Sequence, residues 1–478
     1  MSASVPARTH WIGGTRTTGH TRWIDVVDPA TQERLSVVPA GTAADADLAV
    51  AAAVRAFGHW SGVPLRDRVD AVRAVAKGLA ARQDEIAAAV TAEVGVPTVF
   101  SQRVQAALPV AVASGAAAVA EEFAWTEQIG RSTVFREPVG VVAAITPWNF
   151  PLHQAVAKVA PALLAGNTVV LKPSEIAPLT AMILAEVVRG AGVPDGVLNV
   201  VHGRGPEVGA ALASHPDVDM VSFTGSTEAG RNVAALGART VKRVALELGG
   251  KSANLVLPDA DLLAAVRAGV ANCFMNNGQM CWAWTRLLVP AGLHDQAVEA
   301  AAEAAAAFTV GDPTLPGTRI GPLASAAQRD RVRGYIERGI ADGARLAAGG
   351  PTPPDGLDRG YYVRPTVFAG VSPTAVIAQE EIFGPVLSVI PYSSEDEAVS
   401  IANGTRYGLG GAVFSADPDR ALAVARRLRT GQVDINGAAF NEAAPFGGYR
   451  QSGNGRELGR FGLEEFCEVK SIQRSASG

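Results

Sequence analysis

Val139-Gly140-Val141-Val142-Ala143-Ala144-Ile145-Thr146-Pro147-Trp148-Asn149-Phe150-Pro151 decides how the chain is to be read. Its first seven residues form a continuous apolar run. Such a run suits a strand buried on both faces, as in a parallel sheet, better than the alternating strand of a half-wet antiparallel one. Helical spacing follows over about 153–165, and the alternation then repeats. Strands are expected at 167–172, 197–201, 220–224 and 243–248, with helices at 178–192, 205–214 and 226–236 between them. Strand and helix alternating at these lengths make βαβ units and a doubly wound parallel sheet.

Working outward, the segments 45–60, 66–93 and 99–124 have helical apolar spacing, with 111–120 read as a buried helix. The stretch 125–137 is more polar and ends at Pro138. Downstream, a second α/β region runs from about 250 to 445, with strands at 252–257 and 286–289 around a helix at 261–275. The Gly- and Pro-rich stretch 349–360 reads as a surface loop. Residues 466–473 alternate weakly, as an edge strand does, and an exposed edge invites pairing with another chain.

The 478 residues are 48% hydrophobic and 18% charged, which fits a globular chain of two or three domains rather than a disordered one. A formal net charge of -4 leaves no basic footprint for nucleic acid. No signal peptide or membrane-length apolar run is visible, so a cytoplasmic protein without a membrane partner is expected. Three cysteines, Cys273, Cys281 and Cys467, are too few for a disulfide framework and lack zinc spacing, so no metal is expected. Cys281 stands out, because Asn276-Asn277-Gly278-Gln279-Met280 before it is small and Gly-containing, and Trp282 and Trp284 follow. A lone cysteine is more often inert core. Its neighbours in the sequence change that reading.

Pro147-Trp148-Asn149-Phe150-Pro151, Phe223-Thr224-Gly225-Ser226, Glu247-Leu248-Gly249-Gly250-Lys251, the Cys281 segment, Glu380-Glu381-Ile382-Phe383-Gly384-Pro385 and Pro445-Phe446-Gly447-Gly448 stand in that order along the chain. Together they resemble the aldehyde dehydrogenase superfamily of the NAD(P)-dependent, hydrolytic type, from about Trp11 to Ile472. The resemblance implies a Rossmann-type parallel-sheet cofactor domain (1–119 and 139–249), a second α/β catalytic domain (250–450) and small β oligomerisation arms (120–138 and 451–478). A homodimer or homotetramer is implied with them.

The carboxyl ends of parallel strands face ligands. Here they carry Trp148, Lys172-Pro173-Ser174-Glu175, Gly205 and Gly225-Ser226, although the GxGxxG fingerprint is absent. Ser226 opens a helix whose free N–H groups suit a pyrophosphate, or it is a plain N-cap. Glu175 suits ribose hydroxyls and repels a 2′-phosphate, which favours NAD, with NADP as the less favoured cofactor; the competing reading is a carboxylate at a helix start. By resemblance, Lys172 and Glu175 hold the adenosine ribose and Ser226 the pyrophosphate, while Glu381 and Phe383 position the nicotinamide ribose and ring. Ile145, Ser174 and Leu248 complete the expected cofactor set.

An aldehyde carbon has no hydride to give until a nucleophile adds, and a thiolate adds and leaves well. The resemblance makes Cys281 that nucleophile and gives its oxyanion the Asn149 amide and the Cys281 N–H. Asn149 read alone is a turn residue. Glu247 is the expected base for thioester hydrolysis, with a pKa raised by semi-burial beside Leu246 and Leu248; the alternative is a strand-end ion pair. Lys158 and Glu457 match proton-relay positions. Phe150, Trp282 and Phe446 match the substrate tunnel, which Trp282 narrows and Ala157 widens. Oxidation of an apolar aliphatic or aromatic aldehyde to the acid is therefore expected. A CoA-acylating semialdehyde dehydrogenase, disfavoured by Glu247, and a non-catalytic crystallin-like protein are the alternatives.

Overall fold

The computed structural model describes residues 8–475. Five parallel strands form the heart of an eight-stranded sheet: Arg243–Glu247, Met220–Thr224, Val141–Ile145, Thr168–Lys172 and Leu198–Val200, in that spatial order. Val141–Ile145 is central and buried along its whole length, as its unbroken apolar run requires. Its start is pinned by Gly140, at φ +128°, where a side chain would collide with the Asp219 carboxylate that accepts the Val141 N–H at 2.8 Å. Only glycine fits there.

The sheet is not purely parallel. Trp11–Ile12 pairs antiparallel with Leu198–Val200 at one edge and Thr15–Arg16 pairs antiparallel with it in turn, while Gly453–Asn454 pairs antiparallel with Leu246 and Glu247 at the other edge. Strands of two residues have no periodicity to read.

The helix after the central strand runs Pro151–Ala165, two residues earlier than its apolar spacing suggests. Pro151 opens it with φ already suited to a helix, and Gly166 ends it in the left-handed region. All fifteen residues are buried. The segment 66–93 is two helices, Leu65–Ala80 and Gln83–Val94, with Arg82 off helical geometry between them. The segment 99–124 is broken by a π-turn at Ser101–Gln105 before Ala107–Glu122. The segment 205–214 is likewise a π-turn, Gly205–Gly209, running into Ala210–Ser214.

Residues 111–120 are not uniformly buried as expected. Val112, Ala113, Ala117 and Ala120 face the core, while Ser114, Gly115 and Ala118 face outward. The helical stretch Thr98–Glu122 is also long and apolar enough to cross a membrane by length and composition, where no such run was expected. It packs through Ala107–Glu122 on helices Leu65–Ala80 and Pro151–Ala165.

A second, seven-stranded sheet holds Thr366–Ala369, Val386–Tyr392, Arg286–Pro290, Ala253–Val256, Gly411–Phe414 and Asp434–Ile435 in parallel, with Arg345–Ala348 antiparallel at one edge. The polar stretch 125–137 is a hairpin, Thr126–Ile129 with Ser132–Pro138. Cys467–Gln473 joins it as an outer strand of a three-stranded sheet, and all but Cys467 of that strand is exposed.

Candidate active site

Register places Ile145 beside Lys172 and Thr224 beside Glu247, so the carboxyl ends of the parallel strands form one rim. The loop carrying Cys281 comes from the second sheet, just ahead of Arg286–Pro290. Between them lies a cavity of about 240 Å³. Trp148, Asn149, Gly225, Ser226, Glu247, Leu248, Cys281, Glu381 and Phe383 line it, all of them singled out in the sequence. Thr224, from a quoted motif, lines it as well, and Gln154, Gln328 and Arg331 line it without having stood out.

The Cys281 loop is built against strain. Asn276 (φ +55°), Asn277 (φ +59°) and Gly278 (φ +73°) are consecutive left-handed residues. A non-glycine residue held there costs about 1–3 kcal/mol. Side-chain amides hold the turn in place. Asn276 Nδ2 donates to the Asn149 and Gln279 carbonyls at 3.0 and 3.1 Å. Asn277 Nδ2 donates to the carbonyls of Gly95 and Pro322, and its Oδ1 accepts the Gly321 N–H at 2.9 Å. A Cβ on Gly278 would lie 2.2 Å from the Gly384 carbonyl carbon, so the loop rests directly on the backbone beside Phe383. Cys281 emerges half-buried. Trp284, expected to mark an accessible stretch, is instead core at 3% exposure. Cys273 and Cys467 are buried and donate to backbone carbonyls.

Asn149 ties the two halves of the site together. Its Nδ2 donates to the Gln279 carbonyl at 3.0 Å, and its own carbonyl accepts from Gln105 Nε2 at 2.8 Å. Burial, with Glu381 and Glu247 adding to it, pushes the Cys281 thiol above its ordinary value.

Glu247 is buried more deeply than semi-burial, at 5% exposure, and Gly447 packs so close that a Cβ there would lie 2.7 Å from its Oε1. Neither carboxylate oxygen has a hydrogen-bond partner in the protein. Burial first, and the nearby Glu457 second, raise its pKa well above the ordinary value; Lys158 and Arg456 oppose them. Lys158, fully buried, makes an ion pair with Glu457 and donates to Thr224 Oγ1 at 2.7 Å.

The cofactor candidates fall in two groups. At the cavity, Glu381 Oε1 accepts the Gly250 N–H at 3.1 Å, and burial lifts its carboxyl to about 7. Phe383 is held at φ +64° with its carbonyl accepting Gln328 Nε2 at 2.6 Å, and its ring meets Trp148 edge-on at 5.4 Å. A Cβ on Gly249 would fall 2.2 Å from Glu381 Oε2, and one on Gly225 2.6 Å from the Phe223 ring, so both positions admit only a bare backbone. Ser226 caps helix Thr227–Gly237, its Oγ accepting the Ala229 N–H at 3.2 Å.

Ile145, Lys172, Ser174, Glu175 and Gly205 lie along the same rim but outside that cavity wall. Lys172 pairs with Glu175 at 3.2 Å; burial lowers the Lys172 pKa and Glu175 opposes it. Gly205 faces open space where a Cβ would stand.

On the other side of Cys281 lies an aromatic wall. Trp282 stacks on Phe440 (5.3 Å, 17°) and on Phe150 (6.2 Å, 23°) and meets Phe446 edge-on at 5.4 Å. Phe440, in the irregular 436–445 loop, was missed; one aromatic in a polar loop carries no pattern. Phe446 and Glu457 exchange backbone hydrogen bonds at 2.8 and 2.7 Å, which joins this wall to the buried ion pair.

Across residues 15–472 the chain matches the model of the aldehyde dehydrogenase family. It is 50% identical over 457 residues to a 3-succinoylsemialdehyde-pyridine dehydrogenase from a Pseudomonas species, covering 94% of this chain and 95% of that one. A mutant of aldehyde dehydrogenase C from Pseudomonas syringae, solved with NAD+ and octanal, superposes with a TM-score of 0.97 at 47% identity, over 98% of this chain and 97% of that one. The Mycobacterium tuberculosis aldehyde dehydrogenase solved with NAD+ gives 0.97 at 45% identity, over 99% and 100%.

Proposed function

The chain belongs to the aldehyde dehydrogenase family and oxidises an aldehyde to the acid with NAD, and from that premise we propose that Cys281 carries the acyl group and Glu247 activates the water that releases it. The observation that carries this reading is the shared cavity, which places a half-buried thiol and a buried carboxylate without hydrogen-bond partners on one wall.

The residues present fit the dinucleotide. Gly225 and Gly249 line the cavity, and the Phe223 ring and the Glu381 carboxylate occupy the space a side chain on either would need. Ser226 opens a helix of eleven residues whose first N–H groups point at the rim. Trp148 and Phe383 would flank the nicotinamide ring and Glu381 would hold the nearer ribose. Lys172, Ser174 and Glu175 would hold the adenosine ribose, with Ile145, Gly205 and Leu248 as apolar or bare walls. Bound NAD supplies the hydride acceptor.

The Cys281 thiolate adds to the aldehyde carbon, and the oxyanion faces the second N–H of Asn149 Nδ2 and the Cys281 N–H. Losing one such donor costs about 3 kcal/mol of transition-state stabilisation. After hydride leaves, Glu247 takes a proton from water as water attacks the thioester. The C–S bond then breaks to free the acid and the thiol. Glu247 passes that proton to the sulfur, and Lys158, Thr224 and Glu457 carry toward solvent the proton that the thiol gives up when it ionises for the next turnover. Hydrolysis rather than acyl transfer to coenzyme A fits a base kept buried and free.

The substrate is an apolar aliphatic or aromatic aldehyde, seated against Phe150, Trp282, Phe440 and Phe446. Octanal, in the Pseudomonas syringae structure, is an apolar aliphatic aldehyde, and the name of the Pseudomonas relative gives a pyridine-bearing semialdehyde. The cofactor domain takes 1–119 and 139–249, of which 1–7 lie outside the described residues, and the catalytic domain 250–450. The arms 120–138 and 451–478 offer the exposed strand Cys467–Gln473 to a second copy, giving a homodimer or homotetramer that works in the cytoplasm.

The test is Cys281→Ala with NAD and a mixed aldehyde panel. The variant keeps its fold and its NAD affinity and forms no NADH; turnover near the wild-type rate refutes the assignment.

A further inference from the structure

Resting on the reading above, we propose that Gln154 positions the water that hydrolyses the Cys281 thioester. Gln154 belongs to the first turns of helix Pro151–Ala165, one turn before Lys158 on the same face. Its side chain lines the cavity that Cys281, Asn149, Thr224 and Glu247 also line. The residue is 4% exposed, and its Oε1 has no hydrogen-bond partner in the protein.

A buried amide oxygen without a partner is costly, and such groups in folded proteins are nearly always paired. His153 Nδ1, next to Gln154, also lacks a partner but does not line the cavity, whereas the polar side chains flanking Gln154 near the cavity are held. Asn149 is tied to the Cys281 loop, and Lys158 to Thr224 and Glu457. The unpaired acceptors that share the cavity are Gln154 Oε1 and the two oxygens of Glu247. One water satisfies both residues. It donates one O–H to Gln154 and the other to Glu247, which turns its lone pair toward an acyl carbon on Cys281.

As the O–C bond forms, the proton facing Glu247 moves to that carboxylate. The C–S bond then breaks, the sulfur leaves as thiolate, and the proton returns to it from Glu247. Thioester and water give carboxylic acid and thiol, with no other reactant. Gln154 exchanges no proton; it fixes the direction from which water attacks. It is a positioning residue, and a proton-transferring glutamate next to an unoriented water is a poorer catalyst than one next to an oriented water.

The experiment compares Gln154→Met, of similar size and helix propensity, with Glu247→Gln in rapid mixing with saturating NAD and a short aldehyde. Gln154→Met is expected to keep a full burst of NADH, one per active site, and to lose about tenfold or more in the steady state, the range of a single positioned group. Added hydroxylamine, which attacks thioesters without needing an activated water, restores turnover and yields hydroxamate. A structural disturbance lowers burst and steady state together and is not rescued. The proposal is overturned by a wild-type steady state, by loss of the burst, by failure of hydroxylamine to rescue, or by a several-fold rise in the KM for NAD alone, which moves Gln154 to the cofactor. If Glu247→Gln stalls after the burst while Gln154→Met does not, only the role of Gln154 falls. If Glu247→Gln does not stall, the hydrolytic base itself is misassigned.

Discussion

Two substitutions in the buried ion pair should move the pH dependence of turnover in opposite directions. Glu247 works as a base only when ionised, and its pKa is raised, so turnover limited by thioester hydrolysis climbs as pH rises through that pKa. After burial, the largest cause is Glu457, with Lys158 opposing. Glu457→Gln removes the repelling charge and leaves the Lys158 ammonium unneutralised, and both effects favour ionised Glu247. A neighbouring charge of this kind is worth about 1–3 pKa units. The midpoint of the kcat profile should therefore fall by about 1–2 units, each unit being about 1.4 kcal/mol of differential interaction. Lys158→Met leaves Glu457 and Glu247 sharing a site without their cation, so its midpoint should rise by a similar amount. The midpoint is the readout, since slower proton return lowers the plateau without moving it. Steady-state kcat across pH with saturating NAD and a short aldehyde measures it. Melting temperatures are taken alongside, because breaking a buried pair by removing one partner costs about 3–5 kcal/mol. Midpoints that stay at the wild-type value, or that move the same way in both variants, refute the electrostatic account of Glu247.

Glu247→Gln should give a full pre-steady-state burst of NADH and then a slow steady state; equal loss of both phases would make its role structural. Glu175→Ala frees Lys172 from its ion pair at 3.2 Å and removes the carboxylate facing a 2′-phosphate. The ratio of kcat/KM for NADP over NAD should rise about tenfold or more, and an unchanged ratio in cofactor kinetics would place Glu175 away from the ribose. Trp282→Ala removes contacts with three rings, each aromatic pair worth about 0.5–1.5 kcal/mol. KM for short linear aldehydes should rise by the equivalent of about 1–3 kcal/mol while bulky aldehydes improve relative to them. A large drop in melting temperature with an unchanged order of substrates would show that the indole serves the core instead.

What could be read before the fold was in view follows from where each signal is written. The central strands were legible because burial on both faces leaves an unbroken apolar run, as at Val141–Ile145. Trp148, Glu247, Cys281 and Glu381 stood out because each lies in one of several short stretches that stand in the order and spacing of the family they resemble. Gln154 and Phe440 did not, since a single polar residue in a helix or a single ring in a loop has no periodicity. The depth of Glu247 was under-read for another reason. Gly447, where a Cβ would lie 2.7 Å from the Glu247 carboxylate, arrives from near the end of the chain. The helix break at Arg82 has no proline or glycine to announce it, and the π-turn at Ser101–Gln105 keeps helical angles at both of its flanking residues.

The left-handed turn before Cys281 also makes the nucleophile loop a chemical clock. Asn277-Gly278 is one of four Asn-Gly pairs in the chain, with those at 403, 436 and 454. Such pairs age, because the unhindered glycine nitrogen can close on the asparagine side chain and release ammonia. Asn436 and Asn454 are exposed and held by fewer backbone groups, Asn436 by Ser415 and Asn454 by the Leu246 N–H, whereas Asn277 is 1% exposed with its amide held by three backbone groups. Ring closure at 277 therefore waits for the loop to open. Once it has happened, the resulting carboxylate faces the carbonyls of Gly95 and Pro322 and cannot donate to either. Aspartate or isoaspartate at 277 would then accumulate in proportion to past openings, and old enzyme would lose its thiol geometry while keeping its sheets.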